Sequence, residues 1–293
     1  MRAFNLLIAV LSFVGCTSHP LEQQSDATPT PELRVMSFNI RYGLANDGES
    51  AWPHRHDSLI QTIRAYDPDL LGTQEVLDFQ AKFLRDNLPE YGFHGVGRDD
   101  GAVRGEYAAI LYRRDRFEPL DSGHVWLSEQ PDKPGSVSWD SSMTRMFSWI
   151  RLRDRAANRE LMVINTHWDH VGREARKQSA LLMRRFIEEQ AGDLPLIVTG
   201  DFNSTEDGEP YRIMIAGTSA GRTLLDAYRV AHPDRTQDEL SFHAFRGGTR
   251  GSRIDWILHD DSFTVLDAQI DRTDFDGRFP SDHYPVTATL RWK

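Results

Sequence analysis

The chain has 293 residues, 39% of them apolar and 27% charged, the composition of a water-soluble globular protein that can bury a large core. Asp and Glu outnumber Lys and Arg by 44 to 34, a formal net charge of -10, which argues against a broad basic surface for gripping nucleic acid but leaves cations for a local basic cleft. Cys16 is the single cysteine, so no intrachain disulfide can form.

Residues 1–15 read as a secretory signal: Arg2 supplies a positive start, and Leu6, Leu7, Ile8, Val10, Leu11, Phe13 and Val14 form an apolar segment. That segment is shorter than the roughly 20 apolar residues a membrane-spanning helix needs. Phe13-Val14-Gly15-Cys16 resembles a bacterial lipobox, which implies lipidation of Cys16, export across the inner membrane and anchoring, with Thr17 favouring the outer membrane. The following stretch to Glu32 is rich in Ser, Thr, Pro, Gln and acids without apolar periodicity. It reads as a flexible tether.

From Leu33 to Lys293 no second linker and no internal repeat interrupts the chain, which predicts one domain over 33–293. Strands are predicted over 33–38, 107–112, 147–152, 160–166, 195–199, 253–259, 263–270 and 284–292, several with the period of two of a sheet packed on one face. Helices are predicted over 57–66, 79–88 and about 172–191, the last with Ala175, Leu182, Phe186 and Ile187 inward and Gly192 as a left-handed cap. Two sheets packed face to face with helices outside fit this order better than an alternating barrel.

Polar residues end several of these apolar runs. The segments are Ser37-Phe38-Asn39-Ile40-Arg41, Thr73-Gln74-Glu75, Thr166-His167-Trp168-Asp169-His170, Gly200-Asp201-Phe202-Asn203, Ser252-Arg253-Ile254-Asp255 and Ser281-Asp282-His283-Tyr284-Pro285. Each alone has a bland explanation as a turn, a capped loop or a satisfied core histidine. Six together, delivered by separate strand ends, would build a polar cavity that is costly to bury unless it binds a charge or an ion.

The set resembles the endonuclease/exonuclease/phosphatase superfamily over about Leu33 to Lys293. The resemblance implies a four-layer α/β sandwich with two mixed sheets inside, and a metal-dependent phosphoric ester hydrolase. It implies Glu75 as the principal metal carboxylate, with Asn39 beside it and Asp282 as a further ligand, an oxygen-rich set suited to Mg2+ or Mn2+. It makes Asp201 and Asn203, two apart in an extended segment, the pair that orients the attacking water or the phosphate, with Asp201 a candidate base. His283, held by Asp255, and His167, with Glu106 as its carboxylate partner, would bind phosphoryl oxygens. A pinned imidazole is expected to have a raised pKa. Water would attack phosphorus in line, without a covalent intermediate. No nucleophile elbow supports Ser/His/Asp acyl transfer, and the two imidazoles of His167 and His170 lack the further soft ligands of a zinc site.

Arg41 stands where abasic-site endonucleases carry an Asp, which removes a second metal carboxylate at that position. Ala51-Trp52-Pro53-His54-Arg55, Gly97-Arg98-Asp99-Asp100-Gly101 and Trp126-Leu127-Ser128-Glu129 instead resemble a less characterised bacterial branch that includes enzymes thought to act on sugar phosphates. Arg55, Arg98, Arg145 and His170 are expected around such a substrate, with Trp52, Trp126 and Trp168 able to stack on a ring. The expected protein is a monomer that acts on a small phosphorylated substrate such as a sugar phosphate and touches membrane only through its lipid. The alternatives are a secreted nuclease, which requires a cationic groove at the metal cavity, a phospholipid or sphingomyelin phosphodiesterase, and a surface binding module without catalysis.

Overall fold

The computed structural model describes residue 1, residues 31–216 and residues 222–293, so the predicted signal segment, Cys16 and almost all of the tether lie outside the described residues. In chain order the elements are β1 (Glu32–Asn39), α1 (Trp52–Tyr66), β2 (Leu70–Val76), α2 (Asp78–Asn87), β3 (Tyr91–His94), β4 (Tyr107–Arg113), β5 (Phe117–Trp126), β6 (Met146–Asp154) and β7 (Arg159–His167). Then follow α3 (Arg173–Phe186), β8 (Leu196–Asp201), α4 (Glu209–Ala216), β9 (Leu225–Asp226), α5 (Ala227–Ala231), β10 (Asp255–His259), β11 (Phe263–Ile270) and β12 (Val286–Trp292).

Two six-stranded mixed sheets form, ordered β11-β12-β1-β2-β4-β3 and β5-β6-β7-β8-β10-β9. Each contains one parallel pair, β1 with β2 and β7 with β8, and each pair is joined by a long helix, α1 or α3. A parallel pair needs such a crossover, while the consecutive antiparallel pairs β3–β4, β5–β6, β6–β7 and β11–β12 are joined by loops. Three apolar clusters give the layers. Leu33, Val35, Leu70, Leu152, Val163, Ile197 and Ile257 meet between the sheets. Leu59, Ile60 and Ile63 of α1 cover the outer face of the first sheet, and Ala180, Met183 and Ile187 cover that of the second. The predicted four-layer sandwich is therefore the observed one.

Every predicted strand is present, but β2, β3, β5 and the two-residue β9 were not predicted as strands, nor α4 and α5 as helices. β2 reads LLGTQEV, where Gly and three polar residues mask an otherwise buried strand. Helix α1 starts at Trp52 rather than residue 57, because Pro53 in the first turn is pre-set for a helix and needs no amide partner there. Gly192 does have a positive φ of 52°, but its ψ of -120° lies outside the left-handed helical region, and the turn before it, Ile187–Ala191, is a π-helix.

Candidate active site

All six polar segments converge at one end of the sandwich, and strand direction explains how. β1, β2, β7 and β8 run towards that end, so Asn39, Glu75, His167 and Asp201 sit at or near their C-termini. β4, β10 and β12 run away from it, so Glu106, Asp255 and His283 sit at or just before their starts. The registers Asp255 opposite Asp201, His167 beside Asp201, and Val76 opposite Tyr107 bring these ends level. They surround a cleft of about 1050 Å3.

Glu75 reaches the cleft through a break in its strand. Inward positions of β2 alternate as Leu70, Gly72 and Gln74, which would send Glu75 to the opposite face. The pairing of β2 with β4 shifts register between Thr73 and Val76, and Glu75 adopts a left-handed φ of 62°. Non-glycine residues tolerate this region only where surrounding bonds enforce it. Here Asn39 Nδ2 donates to Glu75 Oε1 at 3.0 Å, and the backbone N–H of Tyr42 donates to Oε2 at 2.6 Å. Asn39 Nδ2 also donates to Asp201 Oδ2 at 3.0 Å, so one amide clips two carboxylates together. Its Oδ1 accepts from the Arg41 backbone N–H at 2.9 Å.

The donor set suits a hard divalent cation. Burial, then the neighbouring Asp255, pushes the Asp201 carboxyl above its ordinary range; burial and then Glu75 do the same to Asp282, against the pull of His283. Such clustered acids carry negative charge that a bound cation relieves. Ligating atoms of Glu75, His167 and Asp201 lie within 4.8 Å of one another. Asp282 belongs to no such cluster among the described residues; its Oδ2 lies 3.5 Å from an Arg41 nitrogen. Asn203 also departs from expectation. The strand ends at Asp201, and Asn203 reaches the cleft through a turn, with φ of 46° and its N–H donating to Asp201 Oδ1 at 3.0 Å.

The two histidines differ. His283 Nδ1 donates to Asp255 Oδ2 at 2.9 Å, Ser241 Oγ donates to the same oxygen at 2.7 Å, and Nε2 faces Asp201 at 3.7 Å. Burial opposes protonation, but Asp255 and Asp201 together raise the His283 pKa well above its usual value. His167 behaves oppositely to the sequence expectation. Burial, then Arg145, lowers its pKa to about 3, so its ring is neutral. Glu106 is not its hydrogen-bonded partner: that carboxylate is gripped by Arg98 through two bonds of 2.9 and 2.7 Å, leaving His167 Nδ1 at 3.6 Å without a hydrogen bond.

Arg98, Arg145 and His170 line the cleft, but Arg55 and Trp168 do not. Arg55 instead donates to the backbone carbonyls of Ser50, Ile40, Pro280 and Arg41, tying α1 to the loops beneath the site. Trp168 is fully buried against Phe202 and Trp256, with its indole N–H on Met183 sulfur, so no face is left for a ligand. Trp52 and Trp126 are likewise buried, and Trp126 donates to the Arg98 carbonyl at 2.6 Å. Large aromatic rings fill core volume well, which decides these positions. Sequence reading missed the support beneath the cleft: Gln74 donates to Asn165 at 2.7 Å, Asn165 to the Thr73 and Ala109 carbonyls, and Thr199 to Asn165 at 3.0 Å. Polar residues at inward strand positions were the available signal. Arg41 also lines the cleft, its guanidinium fixed on Asp47 by bonds of 3.0 and 2.8 Å.

A two-sheet sandwich with an acid-rich, cation-compatible cleft at its polar end defines the class as a metal-site α/β sandwich hydrolase fold. The chain belongs to the Endonuclease/Exonuclease/phosphatase family, whose model matches residues 36–283. Members of this family are divalent-metal-dependent hydrolases of phosphate esters. A crystal structure of an endonuclease/exonuclease/phosphatase from Bacteroides vulgatus superposes with a TM-score of 0.83 at 39% identity, covering 90% of this chain and 100% of that one. A mannosyl-6-phosphatase from Bacteroides thetaiotaomicron superposes with a TM-score of 0.81 at 34% identity, covering 89% and 100%. The CCR4-Not complex 3'-5'-exoribonuclease subunit Ccr4 of Mycosarcoma maydis is 23% identical, covering 92% of this chain and 52% of that protein. Among the curated relatives first matched, the chain spans from 35% to 68% of their length.

Proposed function

We propose that the protein is a phosphatase acting on a small organophosphate such as a sugar phosphate, with Mg2+ or Mn2+ held at Glu75 alongside Asn39 and Asp282. The observation that carries the choice of substrate is the charge of the cleft wall. Four arginines (41, 98, 104 and 145) face five carboxylates (Glu75, Asp99, Glu106, Asp201 and Asp282), and each arginine has a carboxylate within salt-bridge distance. A nuclease track needs unpaired cations along a phosphate backbone and aromatic platforms for bases. The arginines of this cleft are all paired and the tryptophans expected to stack are core, which leaves Tyr42 and the exposed Phe242 as its aromatic residues. The mannosyl-6-phosphatase neighbour supports the same choice.

When bound, the metal would act as a Lewis acid on the phosphoryl group. The chain's own groups would do the rest. Asn39 holds Glu75 and Asp201 in register. Asp201, between the Nε2 atoms of His167 and His283, is placed to orient and deprotonate an attacking water. Asn203 and the two imidazoles offer donors to the phosphoryl oxygens, with His283 kept cationic by Asp255.

We also propose that Cys16 anchors the protein by lipid, in the outer membrane. β1 starts at Glu32 and reaches the site at Asn39, and Glu32 pairs with Arg291, so the tether would leave from the pole opposite the cleft. A Cys16→Ser variant should leave the membrane fraction. The functional test is a metal-dependent assay across sugar phosphates, nucleotides and plasmid DNA. Turnover of sugar phosphates that EDTA removes and Mg2+ restores is the expected result; cleavage of DNA alone would overturn the reading.

A further inference from the structure

The wall of the cleft beyond the acid cluster carries groups that the phosphoryl chemistry does not use, and their donor and acceptor pattern is specific. The first part is the hairpin over residues 97–105. It is closed by Gly97 N–H to Ala102 carbonyl at 2.9 Å and Asp99 N–H to Arg104 carbonyl at 3.0 Å, and Trp126 holds it from behind through the Arg98 carbonyl. Asp99 sits on this rigid support with an exposed carboxylate that faces the cleft and has no hydrogen bond or ion pair among the described residues. Gly105 makes room for it: with φ of 82°, any Cβ there would lie 2.6 to 2.8 Å from the Asp99 carboxylate.

The second part is the pair Arg145 and His170. Arg145 is buried and donates to His170 Nδ1 at 3.0 Å, while Asp169 holds its Nε at 3.5 Å. A guanidinium can only donate, so His170 Nδ1 must be the lone-pair nitrogen and its ring proton must sit on Nε2. Asp169 is itself fixed by four donors, from Ser142 N and Oγ and from the Val171 and Gly172 N–H groups. His170, which lines the cleft and is exposed, therefore offers a fixed N–H donor to the same cleft that Asp99 supplies with an acceptor-only carboxylate.

From this pairing we infer that Asp99 and His170 form a subsite for the alcohol part of the ester, reading hydroxyl groups rather than a second anion. The inference rests on the phosphatase reading above and names its substrate class: a phosphate monoester of a sugar or other polyol with no further charged group near the scissile one. Asp99 accepts from one or two hydroxyls, and His170 donates to a hydroxyl oxygen. A second phosphate would meet the unpaired Asp99 carboxylate, and the nearby Arg98 is already matched by two bonds to Glu106, while Arg145 is held by Asp169 and His170 with its Nη1 left without a partner. Sites built to hydrogen-bond a hydroxyl discriminate strongly, because their polar groups go unpaired with the wrong ligand.

The test compares three probes on the full-length, Mg2+-loaded protein: mannose 6-phosphate, fructose 1,6-bisphosphate and p-nitrophenyl phosphate, which has no hydroxyl to read. The wild type is expected to prefer mannose 6-phosphate over the bisphosphate by about tenfold or more in kcat/KM. Asp99→Asn should close most of that gap, losing on the monophosphate and gaining on the bisphosphate, chiefly through KM. A gain on one substrate is not something a damaged fold produces. His170→Ala should lose about tenfold on mannose 6-phosphate and distinctly less on p-nitrophenyl phosphate. A wild type that prefers the bisphosphate, or variants that lower all three probes equally, would overturn the subsite while leaving the phosphatase reading standing. A wild type inactive on all three would instead overturn the phosphatase reading, and the subsite with it.

Discussion

The two ends of the inter-sheet layer are built by the same strands and do opposite things. Along β1 the inward positions run Leu33, Val35, Ser37, Asn39; along β7 they run Leu161, Val163, Asn165, His167; along β8, Ile197, Thr199, Asp201. Each strand passes from aliphatic, through one neutral polar residue, to a group that lines or supports the cleft. The apolar end supplies stability by excluding water. The middle layer satisfies most of its own hydrogen bonds, through Asn165, Thr199 and the Gln74 amide nitrogen, with only the Gln74 Oε1 of these three residues left unpaired, and so carries polarity inward at modest cost. The far end concentrates acids that Asn39, the Tyr42 N–H, Arg41 and His283 offset in part, leaving charge that a bound cation would relieve. One period-two pattern thus grades a sandwich from core to chemistry.

This grading is breakable at each level. The largest effect should come from the polar end: Glu75→Ala is expected to lower kcat/KM by about a thousandfold or more, with Tm modestly lowered because the Tyr42 N–H loses its acceptor and Asn39 one of its two. Parallel steady-state kinetics and thermal melts would read both. At the apolar end, Ile197→Ala removes a fully buried side chain between the sheets and should cost about 2–5 kcal/mol in urea unfolding, with kcat of the folded enzyme retained. Asn165→Ala lies between these. It removes the Asn165 bonds to the Thr73 and Ala109 carbonyls and leaves the Gln74 amide only its longer bond to Ser37, so about 1–3 kcal/mol of stability and roughly tenfold in kcat should be lost together. Lys82→Ala breaks only the exposed pair with Asp86 on α2 and should shift stability by less than about 0.5 kcal/mol.

Much of this was legible in the sequence because strand ends announce themselves. Apolar runs closing on Asn39, His167 and Asp201, and runs opening at Asp255 and just after His283, marked both the sheets and the rim of the cleft. What stayed hidden depends on local backbone choices or on volume. Glu75 faces the cleft only because a register shift and a left-handed φ turn it there, which period-two reading cannot anticipate. Arg55 and Trp168 look like ligand-binding residues by type. Yet the first is consumed by four carbonyl contacts and the second by aromatic packing, and both outcomes depend on segments distant in sequence. The family resemblance implies Glu106 as the partner of His167, whereas the guanidinium of Arg98, eight residues away, competes better for it through two charged hydrogen bonds.

The central claim is that these graded strands deliver a divalent-cation site organised by Glu75. Calorimetric titration of Mn2+ into the wild type and into Glu75→Gln tests it without any assumption about substrate. Saturable binding by the wild type, weakened at least about tenfold in a variant that melts normally, is the expected result. Equal Mn2+ affinity in the two proteins would contradict it.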